Sequence, residues 1–127
     1  MYTIKMTPRF SDTDALGHIN NASFLNWFEA ARRPIFEIFI PSLSPKDWNL
    51  IIAKVDIEFL AQTYYQDDVE IQTSLIKVGN SSFTIKQDCV QNGSVTCSSQ
   101  AILVHFDYST NKSLKIPDHI RKKLESL

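Results

Sequence analysis

The sequence predicts an α+β fold in which an antiparallel sheet wraps around one long helix. Three observations carry this. Residues 22–39 repeat apolar side chains at spacings of three and four, residues 51–106 alternate apolar and polar, and Gly79-Asn80 and Asn92-Gly93 cut the alternating region into hairpins.

The elements follow in order. Residues 2–10 read as an edge strand, because Pro8 has no N–H to give to a central ladder. Phe24, Leu25, Phe28, Ala31, Ile35 and Phe39 form one apolar stripe on the helix. Asn20 or Asn21 can cap it, since an Asn side chain accepts from an unpaired N–H of the first turn. Pro34 removes a helical donor, which predicts a kink or break near Arg33. Beyond the loop PSLSPKDWN, Ile51, Ala53, Val55, Ile57 and Phe59 are the expected buried face of a strand, with Ile52, Lys54, Asp56 and Glu58 opposite. Residues 68–78 repeat the alternation through Val69, Ile71, Thr73 and Leu75. Residues 82–91 and 94–106 form two more strands joined at Asn92-Gly93, the strongest short hairpin signal. Pro117 opens a short terminal helix with basic residues towards its end.

The order is therefore strand, long helix, then four consecutive antiparallel strands. The helix must bury its stripe on the sheet. The sheet's other face and its edges stay uncovered, and strands 82–91 and 94–106 read as apolar on both faces. A homodimer or homotetramer is the expected remedy.

A chain of 127 residues fits a single domain spanning 1–127. Thirteen basic against fourteen acidic side chains leave a net charge near zero, so bulk charge gives no reason to expect nucleic acid as a partner. No apolar run approaches the ~20 residues of a spanning helix, and the N-terminus is too polar for a secretory signal. Cys89 and Cys97 fit no metal spacing. They flank the Asn92-Gly93 turn, where they can face each other across the hairpin, and read as two buried reduced thiols of a cytoplasmic protein.

The stretch SDTDALGHINN, residues 11–21, packs two carboxylates, a histidine and two asparagines into the strand-to-helix connection. A carboxylate at Asp14 lies near the positive end of the helix dipole. Two roles fit this position. Asp12 and Asp14 can be turn formers, or Asp14 can be a base or nucleophile while first-turn N–H groups hold an oxyanion.

The segment RFSDTDALGHINNASFLNWFEAAR resembles the first strand, turn and helix of the hotdog-fold acyl-CoA thioesterases, the 4-hydroxybenzoyl-CoA thioesterase-like family. Its pattern of D-x-D-x-x-G-H-V-N-N-x-x-Y, an aromatic pair and E-x-A-R is matched at Asp12, Asp14, Gly17, His18, Asn20, Asn21, Trp27, Phe28, Glu29, Ala31 and Arg32. Ile19 and Phe24 stand at the Val and Tyr positions. A second block, VDIEFLAQTYYQDDVEIQTSLIKVGNSSFTI, is similar to the family's next two strands. The resemblance covers about residues 3–107 and implies a hotdog fold, thioester hydrolysis without metal or cofactor, acyl-CoA as substrate, and Asp14 as the catalytic carboxylate. It makes His18, Asn20 and Asn21 supporting or orienting residues and Glu29 a reserve base, with a salt bridge from Glu29 to Arg32 or Arg33 as its structural alternative. The turn Gly79, Asn80, Ser81 and Ser82 takes the place of a CoA-approaching segment. The alternatives are an acyl-carrier-protein thioesterase, a hotdog hydratase or dehydratase, and a non-catalytic acyl-binding module. His18 followed by Ile-Asn-Asn counts against the second.

Overall fold

The computed structural model describes residues 1–127. Strand β1 (Tyr2–Met6) leads through a 3-10 turn at Phe10–Asp12 to helices α1 (Asn21–Ala31) and α2 (Arg33–Phe39). Four long strands follow, β2 (Leu50–Phe59), β3 (Val69–Val78), β4 (Ser82–Gln91) and β5 (Ser94–Asp107), then the short β6 (Lys112–Ser113) and helix α3 (Asp118–Glu125). The strand order is β1-β3-β4-β5-β2, with β6 paired to β5, and every pairing is antiparallel. This is the expected α+β hotdog arrangement of a curled antiparallel sheet and a central helix.

The break falls where proline puts it. Arg32, at φ −81° and ψ −2°, ends α1 and begins α2, and Pro34 sits in the first turn of α2. Both Asn92 (φ 51°) and Gly93 (φ 79°) adopt positive φ, the type I′ turn that suits the twist of a two-residue hairpin. β1 does lie at a sheet edge, although the strand stops at Met6 rather than running to residue 10.

Two expectations need correction. β2 does not pair with its chain neighbour β3; it crosses to the far edge and pairs with β5. Its faces also differ from simple alternation, because a bulge between Ile52 and Lys54 inserts one residue and shifts the phase. Leu50 and Ile52 lie opposite His105 and Leu103, while Val55, Ile57 and Phe59 lie opposite Ala101, Ser99 and Cys97. Those partners are buried, so these five β2 residues line the concave face. Part of that face of β2 is nevertheless open in the single chain, where Ile52 and Phe59 are exposed; Ile51, on the opposite face, is exposed as well.

The sheet cradles two separate apolar clusters. One gathers Ile35, Phe39, Leu50, Phe83, Ile85 and Leu103 under α3, sealed by Ile116, Ile120 and Leu124. The other gathers Phe24, Trp27, Phe28 and Ala31 of α1 with Val69, Ile71, Cys89 and Cys97. Between them runs a polar row, Tyr2, Thr73, Gln87 and Ser99, each opposite the next across the strands. The thiols of Cys89 and Cys97 are free and directly opposed. Burial pushes them up to about 11 and about 12, so at neutral pH both stay protonated and unreactive.

Candidate active site

The loop that enters α1 is built by its own side chains. Asp12 is 3 % exposed, and its carboxylate accepts from the Arg9 N–H at 2.8 Å and faces Arg9 Nε at 3.5 Å. Burial alone would raise the Asp12 pKa, but hydrogen bonds from the Arg9 backbone and side chain, with the neighbouring Ser23 hydroxyl and the Arg9 charge, outweigh it and hold the group below its ordinary value. The Ser23 hydroxyl itself donates to Asp12 O at 3.3 Å. The Asn20 N–H donates to Asp12 O at 2.7 Å, and Thr13 bridges to Ile19, so the two ends of the loop meet. Gly17 turns the loop tip at φ 80°, a conformation open to glycine at little cost.

Asp14 sits inside this turn. Its Oδ1 accepts from the Leu16 N–H at 2.8 Å and the His18 N–H at 3.1 Å, while Oδ2 has no partner within the chain. One oxygen is anchored and the other is free to face a substrate. His18 keeps the loop's shape through its backbone, exchanging bonds with Asp14, and its ring packs edge-on against Tyr64 at 5.7 Å. The two asparagines divide their duties. Asn20 is the cap, its side chain accepting from the Ala22 N–H at 2.8 Å. Asn21 is released from capping. Its side chain is exposed, it borders a cavity of about 330 Å³ with Ile19, Phe24, Phe59 and Thr63, and its N–H has no acceptor in the chain.

Glu29 is two turns further along, away from Asp14. It makes no salt bridge, because Arg33 pairs instead with Glu37 at 3.0 Å; the expected bond from Glu29 to an arginine is absent. Glu29 borders a second cavity, about 460 Å³, with Arg32, Phe36, Trp48, Leu50 and Leu103. The Gly79–Ser82 turn lies at the opposite end of β3 from the Asp14 loop and is tied to the C-terminal segment. Gly79 O accepts from Arg121 at 2.8 Å, Asn80 O from Ile116 N–H at 2.9 Å and Ser81 O from His105 N–H at 2.8 Å. Within one chain, Asp14 and Asn21 share an end of the molecule; Glu29 and the Gly79–Ser82 turn do not join them.

Sequence reasoning passed over two glutamines. Gln87 is buried and donates to Phe28 O at 2.9 Å and Thr73 Oγ1 at 3.2 Å, fastening α1 to the sheet. Gln91 clamps residues 64–67, bonding Tyr64 N–H at 2.9 Å, Tyr64 O at 2.8 Å and Asp67 O at 3.0 Å. The signal was present: both stand in the inward series Phe83, Ile85, Gln87, Cys89 and Gln91, where a polar residue must satisfy itself.

A curled antiparallel sheet around a broken helix is the hotdog architecture, and it goes with a thioesterase-like chain. Residues 8–124 match the model of the thioesterase-like superfamily, and the chain belongs to that family. It is 41 % identical to a predicted thioesterase from Bacillus stearothermophilus, with a TM-score of 0.96 over 98 % of this chain and 94 % of that one. It is 25 % identical to a thioesterase from Thermus thermophilus complexed with coenzyme A and Zn, with a TM-score of 0.87 over 98 % and 91 % of the two chains. The uncharacterized protein YsmA of Bacillus subtilis (strain 168) is 30 % identical over 64 % of this chain, and the match spans about half of that protein, 55 % of its length. No helix is long and apolar enough to cross a membrane.

Proposed function

We propose that this protein hydrolyses an acyl-CoA thioester, with Asp14 as base or nucleophile and N–H groups at the start of α1 polarising the carbonyl. The observation that carries this is the state of Asp14, one oxygen fixed by two backbone donors and the other unpaired, beside a helix start whose Asn21 N–H lacks an acceptor. The coenzyme A bound to the Thermus thermophilus relative supports the choice of thioester. Asp14 takes a proton from water as the water oxygen adds to the carbonyl carbon, or adds to that carbon itself. In the second case the mixed anhydride left after thiolate departure is cleaved by water to free acid and Asp14. The carbonyl oxygen becomes an oxyanion held by the helix-start donors. Collapse breaks the C–S bond, and CoA leaves as a thiolate, a leaving group good enough to need no further acid. Gly17, His18 and Asn20 keep the turn and cap in shape, and Asn21 orients the thioester.

The working unit is a homodimer. β2 is an edge strand with an unpaired side and exposed apolar residues. If two copies pair antiparallel along β2 about its midpoint, Ile51 and Ile52 of one copy come beside the Phe59 end of the other. The second copy's Asp14 and Asn21 then stand over the first copy's 460 Å³ cavity, at the end of the sheet that carries the Gly79–Ser82 turn. This joins the residues one chain keeps apart and gives the CoA tail the glycine-serine turn to approach.

Thiol release from a panel of acyl-CoA substrates tests the reading. Asp14→Asn keeps an anchoring oxygen, so it should melt near wild type yet hydrolyse about 100-fold more slowly or worse, the scale of losing a catalytic base. Wild-type turnover in that variant would remove Asp14 from the mechanism. A monomer by light scattering would remove the shared site.

A further inference from the structure

Arg32 carries the one charge that the turn chemistry leaves unexplained. It is 2 % exposed, yet none of the chain's ion pairs involves it. Its Nε donates to Gln87 Oε1 at 3.0 Å, and Gln87 is itself fastened to Phe28 O and Thr73 Oγ1. The guanidinium plane is therefore fixed, while both Nη nitrogens lack an acceptor within the chain. The carbonyl end of α1 and the nearby Glu29 carboxylate ease the burial of this charge without bonding it. Opposite Gln87 in the polar row, Ser99 Oγ is also buried without a partner.

Arg32 forms part of the wall of the 460 Å³ cavity, a volume suited to a small organic group. The rest of the wall is largely apolar, with Phe36, Trp48, Leu50, Ile52 and Leu103. Tyr108 also borders it, but its hydroxyl is engaged with Leu50 O at 2.7 Å. Glu29 borders the cavity from an exposed position without bonding Arg32. A fixed arginine with two free Nη groups at an apolar cavity matches a carboxylate, which such a fork binds through two parallel hydrogen bonds.

We infer that this cavity receives the far end of the substrate's acyl group and that Arg32 selects acyl groups ending in a carboxylate. The inference rests on the thioester-hydrolase reading and names the substrate class for it. Arg32 is a specificity residue, remote from the carbonyl that reacts.

The test is a series of acyl-CoA thioesters of several chain lengths, each made with a terminal methyl and with a terminal carboxylate. At the best length, kcat/KM should favour the carboxylate form by about tenfold or more, the scale of a charge-assisted pair. Arg32→Gln should abolish that preference by lowering kcat/KM for the carboxylate form alone, and Arg32→Lys should keep part of it. A methyl preference at every length overturns the inference, as does an equal loss on both forms in Arg32→Gln. If Arg32→Gln does not fold, thermal unfolding of wild type with free alkanoic acids against the matched alkanamides decides. A rise in Tm confined to the acids supports the subsite; equal shifts overturn it. If no thioester is hydrolysed, the hydrolase reading fails, and the melting comparison settles the subsite by the same two outcomes.

Discussion

The two apolar clusters under the helices are built from similar residues and finished differently. The cluster beneath α2 is closed by α3, whose Ile120 and Leu124 are buried and whose end is tied to the start of the chain by a bond from the Met1 amine to Leu127 O at 2.6 Å. The cluster beneath α1 has no such lid. Around it Phe59, Leu60, Tyr64 and Tyr65 stay exposed, and beside it sits the Asp14 turn, with Leu16 at its tip 78 % exposed. The first half is sealed on its α3 side and opens at the cavity walled by Phe36, Trp48, Leu50 and Leu103; the other keeps apolar surface and an unpaired carboxylate oxygen available. The polar row between them, pinned to α1 through Gln87, keeps the two halves distinct.

Changes beneath α3, away from the cavity wall of Leu50 and Leu103, should act on stability alone. Leu124→Ala removes a fully buried side chain from under α3 and should cost about 2–5 kcal/mol by chemical denaturation. Its kcat should be unchanged wherever the protein is folded; a matching loss of turnover would mean the halves are not independent. Gln87→Ala at the boundary strands Arg32 Nε and Phe28 O, and should cost about 1–3 kcal/mol. It should also loosen Arg32, which raised KM for carboxylate-ended substrates would report. Asn20→Ala removes the cap at the open end, costing about 1 kcal/mol, and should lower kcat by more than that stability loss suggests, since the same turn positions Asp14.

The smallest effect concerns pH. Asp12 is held below its ordinary pKa when folded, so the unfolded chain takes up its proton first as pH falls. Its contribution is therefore complete above the ordinary aspartate value and disappears as pH drops through the lower, folded one. Asp12→Asn should flatten the acid limb of the stability curve in proportion, and an unchanged limb would show that Arg9 and Ser23 do not hold the carboxylate.

Much of this architecture was legible in the residues. Spacing located α1, Pro34 located its break to within a residue, and Asn92-Gly93 located the β4–β5 turn, because each depends on backbone geometry that a few neighbouring residues dictate. Two asparagines in succession left the cap open, since either side chain can serve; the helix start decided for Asn20 and freed Asn21. The resemblance singled out Asp14, but nothing in the spacing distinguished its two oxygens.

What the sequence by itself determined was local: element types, turns, the cap and the carboxylate in the loop. Tertiary structure alone decided that β2 crosses to the far edge, that a bulge at Ala53 turns Ile52 inward, and that Arg32 is buried with Gln87 as its one hydrogen-bond partner. Each depends on residues distant in the chain meeting across the sheet. Strand order answers to which edges remain to be paired, and the worth of a buried charge answers to its surroundings; neither is written in the spacing of neighbours.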